Sequence, residues 1–185
     1  MDHRRTAIAF SVAIATQVAP AFAAPAHTHG QAQLRIAVDG GKLEIQLDTP
    51  LDSLVGFERA PRTDAERQAV RAAAAKLRAA GLFVPTPAAR CTPAPVKLVS
   101  AALPPDLLGE QAPAQRGAKP SDHADLEATF AFNCASAAEL KGLETTLLRA
   151  FPGIRKVGVE VSGPRGQSKA VLTPGKSAIT WQPPK

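Results

Sequence analysis

Two histidines stand one residue apart near the start of the chain, and their spacing suits metal binding. His27 and His29 flank Thr28, just before a segment in which apolar and polar residues alternate. Side chains at positions i and i+2 of an extended strand point to the same face, so both imidazoles can reach one ion. The spacing predicts a metal site, while the alternative is that both histidines belong to a disordered amino-terminal tail.

A third histidine occupies a similar place in the second half of the chain. His123 follows Asp122, and the strand-like pattern that comes after it begins at Asp125. If the two halves pack symmetrically, His123 completes a three-histidine site, and neutral imidazole with a carboxylate suits zinc or copper. Because the histidines must be neutral to bind, affinity should fall below about pH 6.5. The alternative is that His123 is only a polar residue at a strand start.

Residues 1–23 have the pattern of an export signal. Arg4 and Arg5 precede a short apolar run, and Ala21 and Ala23 supply the small residues that a signal peptidase reads. The apolar run is too short to span a bilayer. Since no cysteine follows the cut, we expect no lipid anchor and predict a soluble periplasmic protein.

The two cysteines are predicted to form a disulfide. Cys91 and Cys134 are the only cysteines in the chain, and exported proteins occupy a compartment in which thiols are oxidised. The alternative is a pair of thiolate metal ligands. Without a CxxC spacing, that alternative has little support.

Composition and motifs exclude several classes of function. The net charge is +6, but lysine and arginine are scattered and aromatic residues make up only 4% of the chain, so we expect no nucleic-acid partner. The sequence contains no GxSxG, no HExxH and no phosphate-binding glycine loop. We therefore predict that the protein is not an enzyme.

The first half of the chain predicts a hairpin followed by a helix. The turn around Gly40 joins two segments with alternating apolar residues. Thr63 and Glu66 form a capping box for a helix that runs to about Ala80, with Gly81 as its C-cap. The residues predicted to line the buried side of this helix are Val70, Ala73 and Leu77. A brief strand is expected at residues 96–98.

The second half repeats this plan. Alternating apolar residues predict a strand that ends at Cys134. Ser136 and Glu139 suggest another capping box, and apolar residues at helical spacing follow until Pro152. Three strands in a meander are then expected at residues 157–161, 170–172 and 179–181.

Together these elements predict an α+β protein made of two similar small lobes. Each lobe has an antiparallel sheet with a covering helix, and the lobes occupy residues 24–103 and 122–185. Residues 104–121 are rich in proline, glycine and glutamine, which is typical of a flexible connector. The disulfide is expected to link the two lobes.

Several segments, in this order, give the chain a family resemblance. They are HTHGQAQLRIAVDGG, DTPLDSLVGFERAPRTDAER, Cys91, DHADLEATFAFNC, FPGIRKVGVEV and GPRGQSKAVLTP. In this order the chain resembles the ZrgA-type family of bacterial periplasmic zinc-binding proteins over nearly all of the sequence that follows the predicted signal.

The resemblance implies a soluble periplasmic protein that binds zinc and works beside zinc uptake as a carrier or buffer. Its partners would be the divalent metal ion and a zinc transporter component. The resemblance also favours the disulfide. The metal ligands that it implies are His27, His29 and His123, with Glu58, Asp122 or Asp125 as the fourth.

The chain departs from the family pattern at two places. The motif GFEHAP reads GFERAP here, so that Arg59 stands at the position of a candidate ligand, and residues 104–122 contain no histidine. Both departures predict a reduced capacity for metal. They also favour the alternative function, which is a periplasmic interaction or scaffold protein of the same fold with little or no metal binding.

Overall fold

The computed structural model describes residues 28–111, 124–164 and 166–181, and strands are its main secondary structure. The strands of these residues are β1 (Gln31–Asp39), β2 (Lys42–Pro50), β3 (Phe83–Pro85), β4 (Cys91–Pro93), β5 (Lys97–Val99), β6 (Asp125–Cys134), β7 (Gly142–Thr145), β8 (Lys156–Gly163), β9 (Gly166–Leu172) and β10 (Ala178–Thr180). The α-helices are α1 (Asp52–Val55), α2 (Asp64–Leu77) and α3 (Leu147–Ala150). In the described ranges, none of the helices combines the length and the apolar character needed to cross a bilayer.

The larger sheet has seven strands in the order β4-β6-β2-β1-β8-β9, and β5 also pairs with β6. Neighbouring strands of this sheet are antiparallel, except for β1 and β8, which are parallel. The β1–β2 hairpin is confirmed, with its turn at Gly40 in the left-handed region at φ 54°. A Cβ on Gly41 would lie 2.6 Å from the carbonyl oxygen of Cys134, so this turn needs glycine at both positions.

One face of the larger sheet is buried and the other is exposed. This follows from the alternation along each strand, since the inward residues of β1 and β2 are mostly apolar and buried. The smaller sheet, in the order β10-β7-β3, packs over the buried face. Phe83 of β3 meets Phe130 of β6 edge to face, with ring centroids 4.7 Å apart. The buried side of α2 joins the same apolar core.

The predicted capping box of α2 is confirmed. The Thr63 side chain accepts a hydrogen bond from the Glu66 N–H, and the Glu66 carboxylate accepts one from the Thr63 N–H. The three residues predicted for the buried side are buried. The helix ends at Leu77 rather than near Ala80, because the chain tightens into a turn in which the Ala79 N–H bonds to the Lys76 carbonyl.

The two-lobe arrangement is not confirmed, because strands from both halves of the sequence pair in one sheet. β6 pairs with β2 over the full length of β2, and β8 pairs with β1. The alternation of apolar residues shows which face of a strand is buried, but it does not show which strand lies beside it. The first part of the predicted connector, Pro105–Leu108, is a 3-10 helix with Leu107 and Leu108 buried, and residues 112–121 lie outside the described residues.

The second helix was predicted wrongly. Ser136 makes no cap hydrogen bond and instead accepts from the Arg90 guanidinium, with the shorter distance at 2.8 Å. The segment forms a 3-10 turn, strand β7 and the short helix α3. Apolar residues spaced three and four apart fit a helix, but here Gly142 starts strand β7 and packs against the strand beside it. The carbonyl oxygen of Ile179 lies so close that a side chain at position 142 would clash with it. The third strand of the predicted meander, β10, pairs with β7 and not with β9.

The predicted disulfide is confirmed. Cys91 of β4 and Cys134 of β6 are directly opposite each other in the antiparallel ladder and are bonded. The bond therefore closes a short edge strand onto the larger sheet, at the end where the β1–β2 turn also lies.

Candidate metal centre

The hairpin positions the first two side chains of the candidate centre. Counting outward from the Gly40 turn pairs Asp39 with Lys42 and, at the far end of the strands, Gln33 with Asp48. The same count places His29 opposite Asp52, just beyond both strands. The structure shows this contact, because His29 Nδ1 and Asp52 Oδ2 are hydrogen-bonded.

Helix α1 and the glycine after it bring in the third side chain. Asp52 opens α1, and Gly56 ends the helix in the left-handed conformation at φ 84°. The chain then reverses, and Glu58 Oε1 comes to 3.5 Å from His29 Nδ1. One ligand atom from each of His29, Asp52 and Glu58 lies within 4.8 Å of the other two.

The two carboxylates make this position favourable for positive charge. The hydrogen bond to Asp52 raises the pKa of His29 above its ordinary value of 6.5, and the negative charges of Asp52 and Glu58 raise it further. The His29 side chain is 68% exposed, whereas Asp52 and Glu58 are 23% and 30% exposed. The group is therefore an open, negatively charged corner with one imidazole at its outer side.

Ser53 links the backbone beside His29 to the carboxylate of Asp52. Its hydroxyl accepts from the Gly30 N–H at 3.2 Å and donates to Asp52 Oδ1 at 3.2 Å. Ser53 is buried, so these hydrogen bonds fix the two chain segments against each other. The second oxygen, Asp52 Oδ2, is the one that faces the imidazole. Outer contacts of this kind orient the ligands of metal sites.

Arg155 packs against the backbone of His29 and Gly30. Its Nη2 lies 3.4 Å from the His29 carbonyl oxygen. A Cβ on Gly30 would lie 2.7 Å from Arg155 Nε, and Gly30 has φ 74°. A glycine is therefore required between His29 and strand β1.

The donor set fits zinc. One imidazole nitrogen with two carboxylate oxygens matches ligands that zinc accepts in proteins, whereas calcium and magnesium prefer oxygen ligands alone. Zinc binding would displace the proton that His29 shares with Asp52, since a ligand imidazole must be deprotonated at the coordinating atom. Three ligand atoms also leave room for a further ligand in a four-coordinate ion.

The structure brings two of the predicted site residues, His29 and Glu58, together. Asp125 lies at the start of β6, paired with Pro50, and it is not a member of the three-residue group. Three other predicted ligands, His27, Asp122 and His123, lie outside the described residues.

Sequence reasoning missed Asp52. The signal that could have found it is the hairpin itself, because a two-residue glycine turn fixes the register of the strands. That register, extended past the last paired residues, sets Asp52 opposite His29.

Comparison with known proteins gives the chain a family. A search of curated proteins finds no match. A family model described as ZrgA family zinc uptake protein matches residues 26–181, which include both strands of the hairpin, the candidate centre and the disulfide. Because this match spans most of the sequence, the chain belongs to the ZrgA family of zinc uptake proteins.

Proposed function

We propose that this chain binds zinc in the periplasm and serves zinc uptake as a carrier or buffer, without a catalytic role. The observation that carries the proposal is the convergence of His29, Asp52 and Glu58 at one corner of the larger sheet. Their donor atoms suit zinc, and copper is the alternative ion that the imidazole would also accept. Membership of a zinc uptake family supports the same ion.

We assign the fourth ligand to His123, which lies outside the described residues. What supports this is the β2–β6 ladder, which pairs Pro50 with Asp125 and continues in a hydrogen bond from the Leu51 N–H to the Ala124 carbonyl. In the sequence, Asp52 directly follows Leu51 and His123 directly precedes Ala124. Asp52, which is hydrogen-bonded to His29, is therefore one residue from Leu51, and His123 is one residue in sequence from the partner of Leu51, Ala124. His27, Asp122 and Asp125 stay candidate ligands.

The exposure of the corner favours a carried ion over a structural one. Structural zinc is enclosed by protein ligands, but the His29 side chain is 68% exposed. An ion held there can be approached by another molecule. We therefore propose that zinc is handed on from this corner to a component of a zinc transporter.

The location is proposed from two features. Residues 1–23 have the pattern of a cleaved export signal, and they lie outside the described residues. The Cys91–Cys134 disulfide fits an oxidising compartment such as the periplasm. The protein that carries out the proposed function would then begin at residue 24.

Calorimetric zinc titration of the metal-free chain from residue 24, at near-neutral pH, tests the proposal. We expect one zinc per chain with submicromolar affinity. His29→Ala and Asp52→Asn should each weaken binding by at least about 100-fold, because each removes a ligand, and His123→Ala should weaken it as well. The matched control is Asp39→Asn, which changes an exposed aspartate at the opposite end of the hairpin and should leave the affinity unchanged.

Two results would contradict the proposal. Binding no tighter than about 100 μM in the unaltered chain would leave a scaffold of the same fold as the better interpretation. Tight binding that survives both His29→Ala and Asp52→Asn would show that the chain binds zinc elsewhere.

A further inference from the structure

The segment that presents Glu58 is a short loop between two helices. This Glu58 loop, residues 56–61, begins at the left-handed Gly56 and ends shortly before Thr63, the N-cap of α2. Loops of this kind have no ladder of backbone hydrogen bonds to hold them. The position of the Glu58 carboxylate, 3.5 Å from His29 Nδ1, therefore depends on what fixes the loop.

Arg59, the next residue, makes the contacts that fix it. Its guanidinium donates to Glu66 through two nitrogens, Nη1 to Oε2 at 3.0 Å and Nη2 to Oε1 at 2.6 Å. Nη1 also donates to the Ala60 carbonyl at 3.2 Å. The same guanidinium lies over the ring of Phe57, 5.3 Å from its centroid. Arg59 thus ties three positions of the loop to the first turn of α2.

The partner of Arg59 is itself held rigidly. Glu66 Oε2 accepts from the Arg62 N–H at 2.5 Å and from the Thr63 N–H at 3.3 Å, as part of the capping box. Glu66 stands on a helix of 14 residues whose inner side is packed in the core. A two-pronged arginine–carboxylate contact fixes direction as well as distance. The Glu58 loop is therefore anchored to one of the firm elements of the fold.

The ion pair also removes an electrostatic penalty. An arginine beside a ligand carboxylate would repel a divalent cation if its charge faced the site. Here the guanidinium is directed to Glu66, with side chains that are 38% and 21% exposed. The positive charge next to Glu58 is neutralised by a carboxylate that takes no part in the metal corner.

We infer that Arg59 is a positioning residue, which acts through Glu66 to hold the Glu58 carboxylate against His29 and Asp52. The inference deepens the proposed function and rests on it. A residue that cannot coordinate a cation thereby contributes to cation binding by fixing a neighbour that can.

A double-mutant cycle in zinc affinity tests the inference. The proteins are the unaltered chain, Arg59→Ala, Glu58→Gln and the double variant, each titrated with zinc alone against a chromogenic chelator. Arg59→Ala should weaken binding about tenfold, the size of effect that outer contacts have on metal sites. In the Glu58→Gln background it should cause no further loss, because the ligand that it positions is already gone.

The matched control is Arg67→Ala. Arg67 pairs with Asp64 in the first turn of the same helix. Its removal takes away the same charge as Arg59→Ala, from a side chain of similar exposure, but leaves the contact between Arg59 and Glu66 in place. It should not alter zinc affinity. Arg59→Lys, which keeps the charge without the two-pronged contact, should restore only part of the affinity. An equal loss from Arg59→Ala in both backgrounds, or no loss in either, would overturn the inference.

NMR order parameters of the backbone amides in the zinc-free proteins separate this inference from the proposed function. Arg59→Ala should lower the order parameters of Glu58 and Ala60 from the rigid value of about 0.85 toward about 0.6, whereas Arg67→Ala should not. If the unaltered chain fails to bind zinc, the proposed function is refuted, and this measurement still decides whether Arg59 orders the loop. Unchanged order parameters at Glu58 would overturn the inference.

Discussion

The two ends of the β2–β6 strand pair are built in different ways. At one end Lys42 of β2 pairs with Asn133 of β6, next to the Cys91–Cys134 disulfide. At the other end Pro50 pairs with Asp125, next to the corner formed by His29, Asp52 and Glu58. The strands have about nine residues between these ends, which corresponds to about 30 Å.

One end of the strand pair holds the sheet together, and the other end is open for binding. The disulfide end is closed covalently, with Cys134 buried and the glycine turn packed against its carbonyl. The end with the candidate centre, called the metal end below, is held by hydrogen bonds through Ser53 and by the ion pair of Arg59, and the His29 side chain there reaches solvent. A change at one end should therefore leave the other end largely unaffected, since distant sites act independently.

Removing the disulfide should produce the largest effect on stability. Cys91→Ala with Cys134→Ala opens a bond that joins residues 43 positions apart. The free energy of unfolding should fall by about 4 kcal/mol, because the unfolded chain gains the freedom that the bond removes. Denaturant unfolding of the unaltered and double-variant proteins measures this. Zinc affinity, measured on the folded protein, should change by less than about twofold.

A loss of zinc affinity by tenfold or more in the double alanine variant would break the comparison. It would show that the two ends are coupled through the sheet. Reduction of the unaltered protein offers a second route to the same result, without substitution.

Ser53→Ala should have a smaller effect on stability than loss of the disulfide, but a larger effect on zinc affinity. The substitution removes the donor to Asp52 Oδ1 and the acceptor for the Gly30 N–H. Zinc affinity should fall about tenfold, which corresponds to about 1.4 kcal/mol, and stability should fall by about 1 kcal/mol because a buried N–H loses its acceptor. Zinc titration and denaturant unfolding measure the two quantities. Ser162→Ala, at an exposed position of β8, is the control that should change neither.

If Ser53→Ala reduces stability while zinc affinity stays unchanged, Ser53 holds the chain segments together without orienting the ligand. In that case the Glu58 loop, and not Ser53, would position the side chains of the metal end.

Acid should produce the smallest difference in stability, and near the metal end it acts through Glu66. The hydrogen bond with Arg59, then the Arg62 N–H, lowers the pKa of Glu66 to about 2 from its ordinary 4.5. A carboxyl whose folded-state pKa is lowered contributes stability that is complete above about pH 4.5 and is lost as the pH falls through about 2. Glu66→Gln should therefore lose less stability than the unaltered protein between about pH 5 and pH 2. Urea unfolding at both pH values measures this difference, and parallel losses would show that Glu66 is not the responsible group.

Local signals in the sequence predicted the parts of the fold that depend on neighbouring residues. The glycine turn gave the β1–β2 hairpin, and Thr63 with Glu66 gave the start of α2. The disulfide was predicted from two cysteines in a chain that begins with the pattern of an export signal. Each of these predictions rests on chemistry within a few residues or on an unavoidable pairing.

The arrangement of the strands could not be predicted in the same way. Leu34 of β1 pairs with Leu47 of β2 and with Val159 of β8, but all three residues show the same apolar alternation as the other strands. Nothing in that alternation selects a partner. The prediction of a helix around Gly142 was wrong for a related reason, since a short apolar run fits both a helix and a strand.

The candidate site was predictable in part. His29 was found from its spacing and Glu58 from the family resemblance, while Asp52 was missed because a lone aspartate after a strand has no signal of its own. Its role appears only when the hairpin register is extended beyond the last paired residues. The metal-binding role of all three stays a prediction that the zinc titration tests.

The parallel ladder between β1 and β8 has a consequence for how the chain reaches this fold. Gln31 at the start of β1 pairs with Lys156 at the start of β8, so the central strand gains its second neighbour only when nearly the whole polypeptide is present. Non-local pairings of this kind slow folding, to about milliseconds to seconds in small domains rich in them. Until β8 arrives, one edge of β1 is open. At that edge, a newly made chain can pair with a strand of another molecule.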